Sequence, residues 1–201
     1  MSYSKKSLIL NPFQRIAGGK ALLWGLAGIV LTVLFCAVTQ VCFDGFLHVG
    51  LATENVCFFT LLLQQLVMLL LTVILFYLAG VILSKSKVRF IDVLGTFAFA
   101  RLPLLLLPLL GFSATFKKTM TAEFAMKIMQ NPEMVYSSDF MIITLIGILI
   151  LPLVVWHIIW LFQAYKTSCN LNGVKLWLPF IILWLAASFV YDTFLAKLLV
   201  F

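Results

Sequence analysis

Residues 56–83 read VCFFTLLLQQLVMLLLTVILFYLAGVIL, a run without a single charge whose only side-chain amides are Gln64 and Gln65. About 20 apolar residues carry a helix across the roughly 30 Å of bilayer hydrocarbon, where only a helix satisfies its own backbone. The stretch is therefore a spanning helix, long enough to tilt or to extend past the interface. Working outward from it, residues 21–43, 93–112, 140–162 and 176–196 have the same character. These five spans define an all-α integral membrane protein.

Composition agrees. Hydrophobic residues make up 64% of the chain and charged ones 10%, against about a quarter charged in soluble domains, and the mean hydropathy is +1.15. No polar stretch reaches half of the roughly 50 residues that a separate soluble domain needs, so residues 1–201 form one membrane domain. The net charge of +7 does not point to nucleic acid, because the basic residues flank apolar runs and read as membrane anchors. Cys36, Cys42, Cys57 and Cys169 show neither paired CxxC spacing nor disulfide-scaffold density. They read as small apolar side chains, with a Cys42–Cys57 disulfide across the first outer gap left open. The run from Ala21 follows Lys5, Lys6, Arg15 and Lys20 as a secretory signal would, but at roughly twenty residues it is too long for one. Phe35 and Val41, which precede Cys36 and Cys42, are not the small neighbours a lipoprotein cleavage site wants.

Lys and Arg accumulate on the cytoplasmic side of membrane proteins. With the amino terminus inside, the inner segments hold nine basic residues, Lys5, Lys6, Arg15, Lys20, Lys85, Lys87, Arg89, Lys166 and Lys175, and the outer ones hold four, Lys117, Lys118, Lys127 and Lys197. That asymmetry predicts amino terminus in and carboxyl terminus out. Trp24, Trp156, Trp160 and Trp177 all fall near the inner ends of their spans, where amphipathic rings favour the interface.

Ahead of the first span, Asn11 is a good helix cap and Pro12 suits the first helical position. The following turns separate Phe13, Ile16 and Ala17 from Gln14 and Arg15, which predicts a short interfacial helix on the inner leaflet. In the long gap 113–139, Met120, Phe124 and Ile128 recur every four residues, one stripe of an amphipathic outer-side helix ended by Asn131 and Pro132. Flexible apolar packing explains Met120, Met126, Met129 and Met134 better than metal capture does.

Polar side chains within a span are functional suspects because each costs about 2.5 to 3.5 kcal/mol to insert. Arg101 lies near the middle of the third span, just before Pro103 and Pro108. Each proline removes a backbone hydrogen bond, freeing the carbonyls of Phe99 and Leu104 and kinking the helix, and a nearby guanidinium can brace such a kink or snorkel to the inner surface. Asp192 is the one acid well inside a span. Counted along the helices it lies roughly 10 Å from the depth of Arg101, which makes Gln64, Gln65, Lys117 or Lys118 better partners for it. His157 reads as an interfacial packing residue, and with His48 the only other histidine on the far side, no metal site is expected. Neither HExxH, GxSxG, a Walker lysine loop nor a Rossmann glycine signature occurs, so no catalytic residue and no cofactor is expected.

Several stretches together resemble the Yip1-domain membrane proteins: Asn11 and Pro12 ahead of the first span, Gly95 to Pro103 (GTFAFARLP) in the third, and the fourth-span exit from Trp156 to Lys175 with its Asn172, Gly173 and Val174 turn. The resemblance covers most of the chain and implies a non-enzymatic five-span protein. Eukaryotic members engage small GTPases through an extended cytosolic leader and a DLYGP motif. This chain has about twenty residues there and lacks the motif, so the implication is a bacterial inner-membrane protein, some relatives of which assist ABC-type exporters.

The expected function is an accessory or scaffold component whose partners are the bilayer and other membrane proteins or a second copy, met through small-residue faces such as Ala21 and Gly25 or Ala186, Ala187 and Ser188. The alternative is a small transporter or channel subunit with a polar route past Arg101, Gln64, Gln65 and Asp192. Five spans without internal repeats fit that alternative poorly.

Overall fold

The computed structural model describes residues 10–43, 49–51 and 57–195. Lys5, Lys6, His48 and Lys197 lie outside the described residues. Five helical segments are long and apolar enough to cross a membrane: Gly18–Thr39, Phe58–Leu83, Phe90–Phe112, Ser138–Cys169 and Val174–Phe194. They are the first to fifth spans below, and the chain is an α-helical, multi-pass membrane protein.

The first and third spans pack most closely, and small residues make this possible. A Cβ on Gly25 would fall 2.5 Å from the Ala98 carbonyl carbon, and one on Gly95 would run into the Gly18 carbonyl. With Ala21 and Ala98 fully buried beside them, the two backbones touch, which is the main route to helix association where lipid removes the hydrophobic driving force. Ala21 and Gly25, expected to face an external partner, are therefore used up inside the chain, as is the fully buried Ala187 of the fifth span. An aromatic cluster closes the other side. Phe76 of the second span meets Phe97, Tyr165 and Phe180 of the third, fourth and fifth at centroid distances of 5.0, 4.9 and 5.7 Å.

Threonine hydroxyls within the spans fold back on their own helices. Thr32, Thr72 and Thr96 each donate to the carbonyl four residues earlier at 2.8 Å, so their hydroxyl protons need no acceptor elsewhere in the bundle.

Four local expectations are corrected. The first span ends at Thr39, not near residue 43, because Gln40 takes a left-handed conformation with φ 60°. Val41–Phe43 then pairs antiparallel with Val49–Leu51, with Val41 opposite Leu51 and Phe43 opposite Val49, a choice that suits the β-branched and aromatic side chains there. The interfacial helix of the leader is, among the described residues, a single 3-10 turn, Pro12–Gln14, and Asn11 makes no side-chain cap. Phe13 does not lie on a leaflet. It is 2% exposed, set edge-on between Phe99 and Trp160 at 5.9 and 6.2 Å, while Asn11 Nδ2 donates to Gln163 Oε1 at 3.2 Å. The leader is thus plugged into the bundle by an aromatic ring whose burial outweighs its amphipathic pattern.

The single amphipathic helix expected in the gap 113–139 is two helices, Ala114–Thr119 and Ala122–Gln130, followed by a 3-10 turn, Pro132–Tyr136. The break falls at Met120 because the Thr121 hydroxyl caps the second helix, accepting from Phe124 N at 3.3 Å, so Met120 and Phe124 do not share one continuous stripe. Finally, of the four expected interfacial tryptophans, Trp24 and Trp177 are exposed, but Trp160 is a core residue stacked on Phe99 at 5.4 Å. Cys57 is a free, exposed thiol, and the Cys42 side chain lies outside the described residues.

Candidate functional site

The third span holds the site because it stops being an α-helix halfway across. Phe90–Ala100 is α-helical, Leu102–Leu106 and Pro108–Phe112 are 3-10. Pro103 and Pro108, expected to kink the span, each fall in the first turn of a tightened 3-10 stretch. Leu107 N donates to Leu104 O at 3.1 Å, so the carbonyl that Pro108 releases is reclaimed within one 3-10 turn. Leu104 N likewise donates to Arg101 O at 3.0 Å in place of Ala100 O, its acceptor in a continued α-helix.

His157 of the fourth span takes up that carbonyl, its Nδ1 lying 2.8 Å from Ala100 O. The fourth span continues to Cys169, so His157 sits about 18 Å of helix from its end, with 4% of its surface exposed. An unpaired carbonyl at this depth would cost several kcal/mol, which explains why an imidazole is placed there.

Arg101 is half-buried beside it. Its guanidinium does not serve the carbonyls of its own helix: Nη1 donates to Gln65 O of the second span at 2.8 Å, and Nη2 lies 3.9 Å from Met68 Sδ. The residue braces the broken span against its neighbour. Gln65 enters the cluster through its backbone carbonyl. The adjacent Gln64 serves a different end, donating from Nε2 to Phe43 O at 2.7 Å and so pinning the short hairpin over the helices. Among the described residues, nothing joins Asp192 to Arg101, Gln64, Gln65, Lys117 or Lys118. Its side chain is exposed within a π-helical turn, Tyr191–Leu195, so the expected intramembrane polar set separates into an Arg101–His157–Gln65 cluster, a Gln64 strut and an outward carboxylate.

Lys118 instead pairs with Asp139 at 2.5 Å, and Lys127 with Glu123 at 2.5 Å on one face of its helix; the Lys127 ammonium holds the Glu123 carboxyl below its usual range. Among the described residues no cluster of three metal-ligating side chains is present.

A cavity of about 10 Å³ lies inside the cluster, lined by Leu69, Thr72, Phe97, Arg101, His157 and Leu161. Sequence reasoning found Arg101 and both prolines but missed how His157 connects to them. The available signal was the five-residue spacing of Pro103 and Pro108, which favours 3-10 pairing between them and strands a carbonyl for another span to satisfy.

Fold and site together define a polytopic α-helical membrane protein with an internally hydrogen-bonded polar cluster at the middle of its third span. Comparison with protein-family models, with curated proteins and with solved structures finds no match for this chain.

Proposed function

We propose that this protein is a non-enzymatic accessory or scaffold component of a bacterial inner membrane, Yip1-like in character, with its leader cytoplasmic, that associates with other membrane proteins such as an ABC-type exporter. The observation that carries the proposal is the fourth span. It is the longest, at 32 residues, yet only 6% of its most apolar stretch is buried, against 22% to 61% in the other four. Its outer half presents Met141, Leu145, Ile148, Leu149 and Leu151 to the outside, and with Val135 and Phe140 this half lines a shallow apolar groove. A helix face of that length is a surface on which a partner's span packs by shape alone. The interior polar groups also fit the proposal, since Arg101, His157 and Gln64 each end on a backbone carbonyl within the chain, an arrangement that holds helices together.

A photo-cross-linker at Leu145 or Leu149, activated in intact membranes before purification, tests this. The expected result is an adduct with one discrete membrane protein, recovered repeatedly. Adducts with lipid alone would contradict it, and loss of a solute flux in Arg101→Leu with the fold intact would favour the transporter alternative.

A further inference from the structure

The cluster around Arg101 has donors and acceptors that do not close on one another, and their arithmetic identifies what completes them. A carbonyl only accepts, so the 2.8 Å approach of His157 Nδ1 to Ala100 O places a proton on Nδ1. In the neutral ring Nε2 is then an acceptor, the tautomer being set by the bond the other nitrogen makes. Thr72 gives its hydroxyl proton to Met68 O at 2.8 Å, so its oxygen also offers only lone pairs. Arg101 is the reverse case. A guanidinium carries five N–H donors and no acceptor, and two of these are directed at Gln65 O and Met68 Sδ.

Arg101, Thr72 and His157 line the same cavity of about 10 Å³, whose other walls are Leu69, Phe97 and Leu161. We infer that this cavity is the binding site of a single structural water, which accepts from Arg101 and donates to His157 and to Thr72. A buried water needs roughly 10 to 15 Å³ and typically about three polar partners; the cavity is at the lower end of that volume, and three polar side chains line it. A small anion meets neither half as well, because two of the three polar groups would turn lone pairs toward it. The water joins the second, third and fourth spans where the third changes from α to 3-10, so it completes the hydrogen-bonded brace of the proline-broken span. The inference is independent of which partner the outer surface binds.

The test is ¹⁵N NMR of the full chain, labelled at the histidine rings and embedded in lipid nanodiscs. His157 is assigned by loss of its signals in His157→Gln, or, should that variant fail to fold, by the signals that remain in His48→Gln. The expected spectrum has the proton on Nδ1, an accepting Nε2 that receives polarisation from water, and no change when chloride replaces gluconate at constant ionic strength. Thr72→Val removes one acceptor and should diminish the transfer from water. Absence of transfer from water to Nε2 in the native chain, a proton on Nε2 in place of Nδ1, or a His157 signal that follows chloride would each overturn the assignment.

Discussion

The third and fourth spans invert the expectation carried over from soluble proteins. The fourth is the more apolar and the less buried; the third is less apolar and, with 61% of its core stretch buried, lies at the centre of the bundle. In water the greasiest helix goes inside. In lipid the outside is as greasy as leucine, so the interior goes to the helix that packs closest and carries the polar groups needing partners. The third span qualifies on both counts through Gly95, Ala98, Arg101 and the Ala100 carbonyl. The fourth is split along its length: its half near Cys169 supplies His157, Trp160 and Tyr165 to the core, and its other half faces out.

The largest expected effect that sharpens this contrast comes from overfilling the central contact. Gly25→Leu places a side chain where the Ala98 backbone already stands and should destabilise by about 3 kcal/mol or more, whereas Leu149→Ala on the exposed face of the fourth span should stay within about 0.5 kcal/mol. Reversible unfolding in mixed micelles reads both, and equal effects would break the comparison. Next, His157→Phe keeps the ring but strands Ala100 O, with an expected loss of about 1 to 3 kcal/mol, measurable in the same assay. Gln64→Leu removes the strut to Phe43 O, at about 1 kcal/mol, and should speed amide exchange in Val41–Phe43 while leaving the third span unchanged. Smallest is Lys118→Ala. The Lys118–Asp139 pair has a largely exposed ammonium, so its loss should be at most about 1 kcal/mol and should shrink further in high salt.

Hydropathy made the five spans legible, and their boundaries fall within a few residues wherever charge or proline marks an end. The helix of the fourth span continues seven residues past Phe162, where Gln163, Lys166 and Ser168 look like a loop, because Trp160, Ala164 and Tyr165 form a buried face that carries it on to Cys169. The hairpin was illegible for the opposite reason: Val41, Cys42 and Phe43 are as apolar as the helix before them, and only the left-handed Gln40 separates the two. Arg101 announces itself by its charge. The function of His157 does not, since it depends on a carbonyl freed some 57 positions away in sequence, and no local pattern carries that information. Phe13 misled for a related reason: an amphipathic leader pattern describes a surface equally well whether that surface is lipid or the side of the bundle.

Carbene footprinting of the unmodified protein, with a lipid-partitioned diazirine in a bilayer and read peptide by peptide, tests the central claim most directly. Heavy labelling of residues 141–155 with protection of residues 93–104 is the expected pattern. Labelling of the third span as strong as that of the fourth would contradict the inside-out arrangement described above.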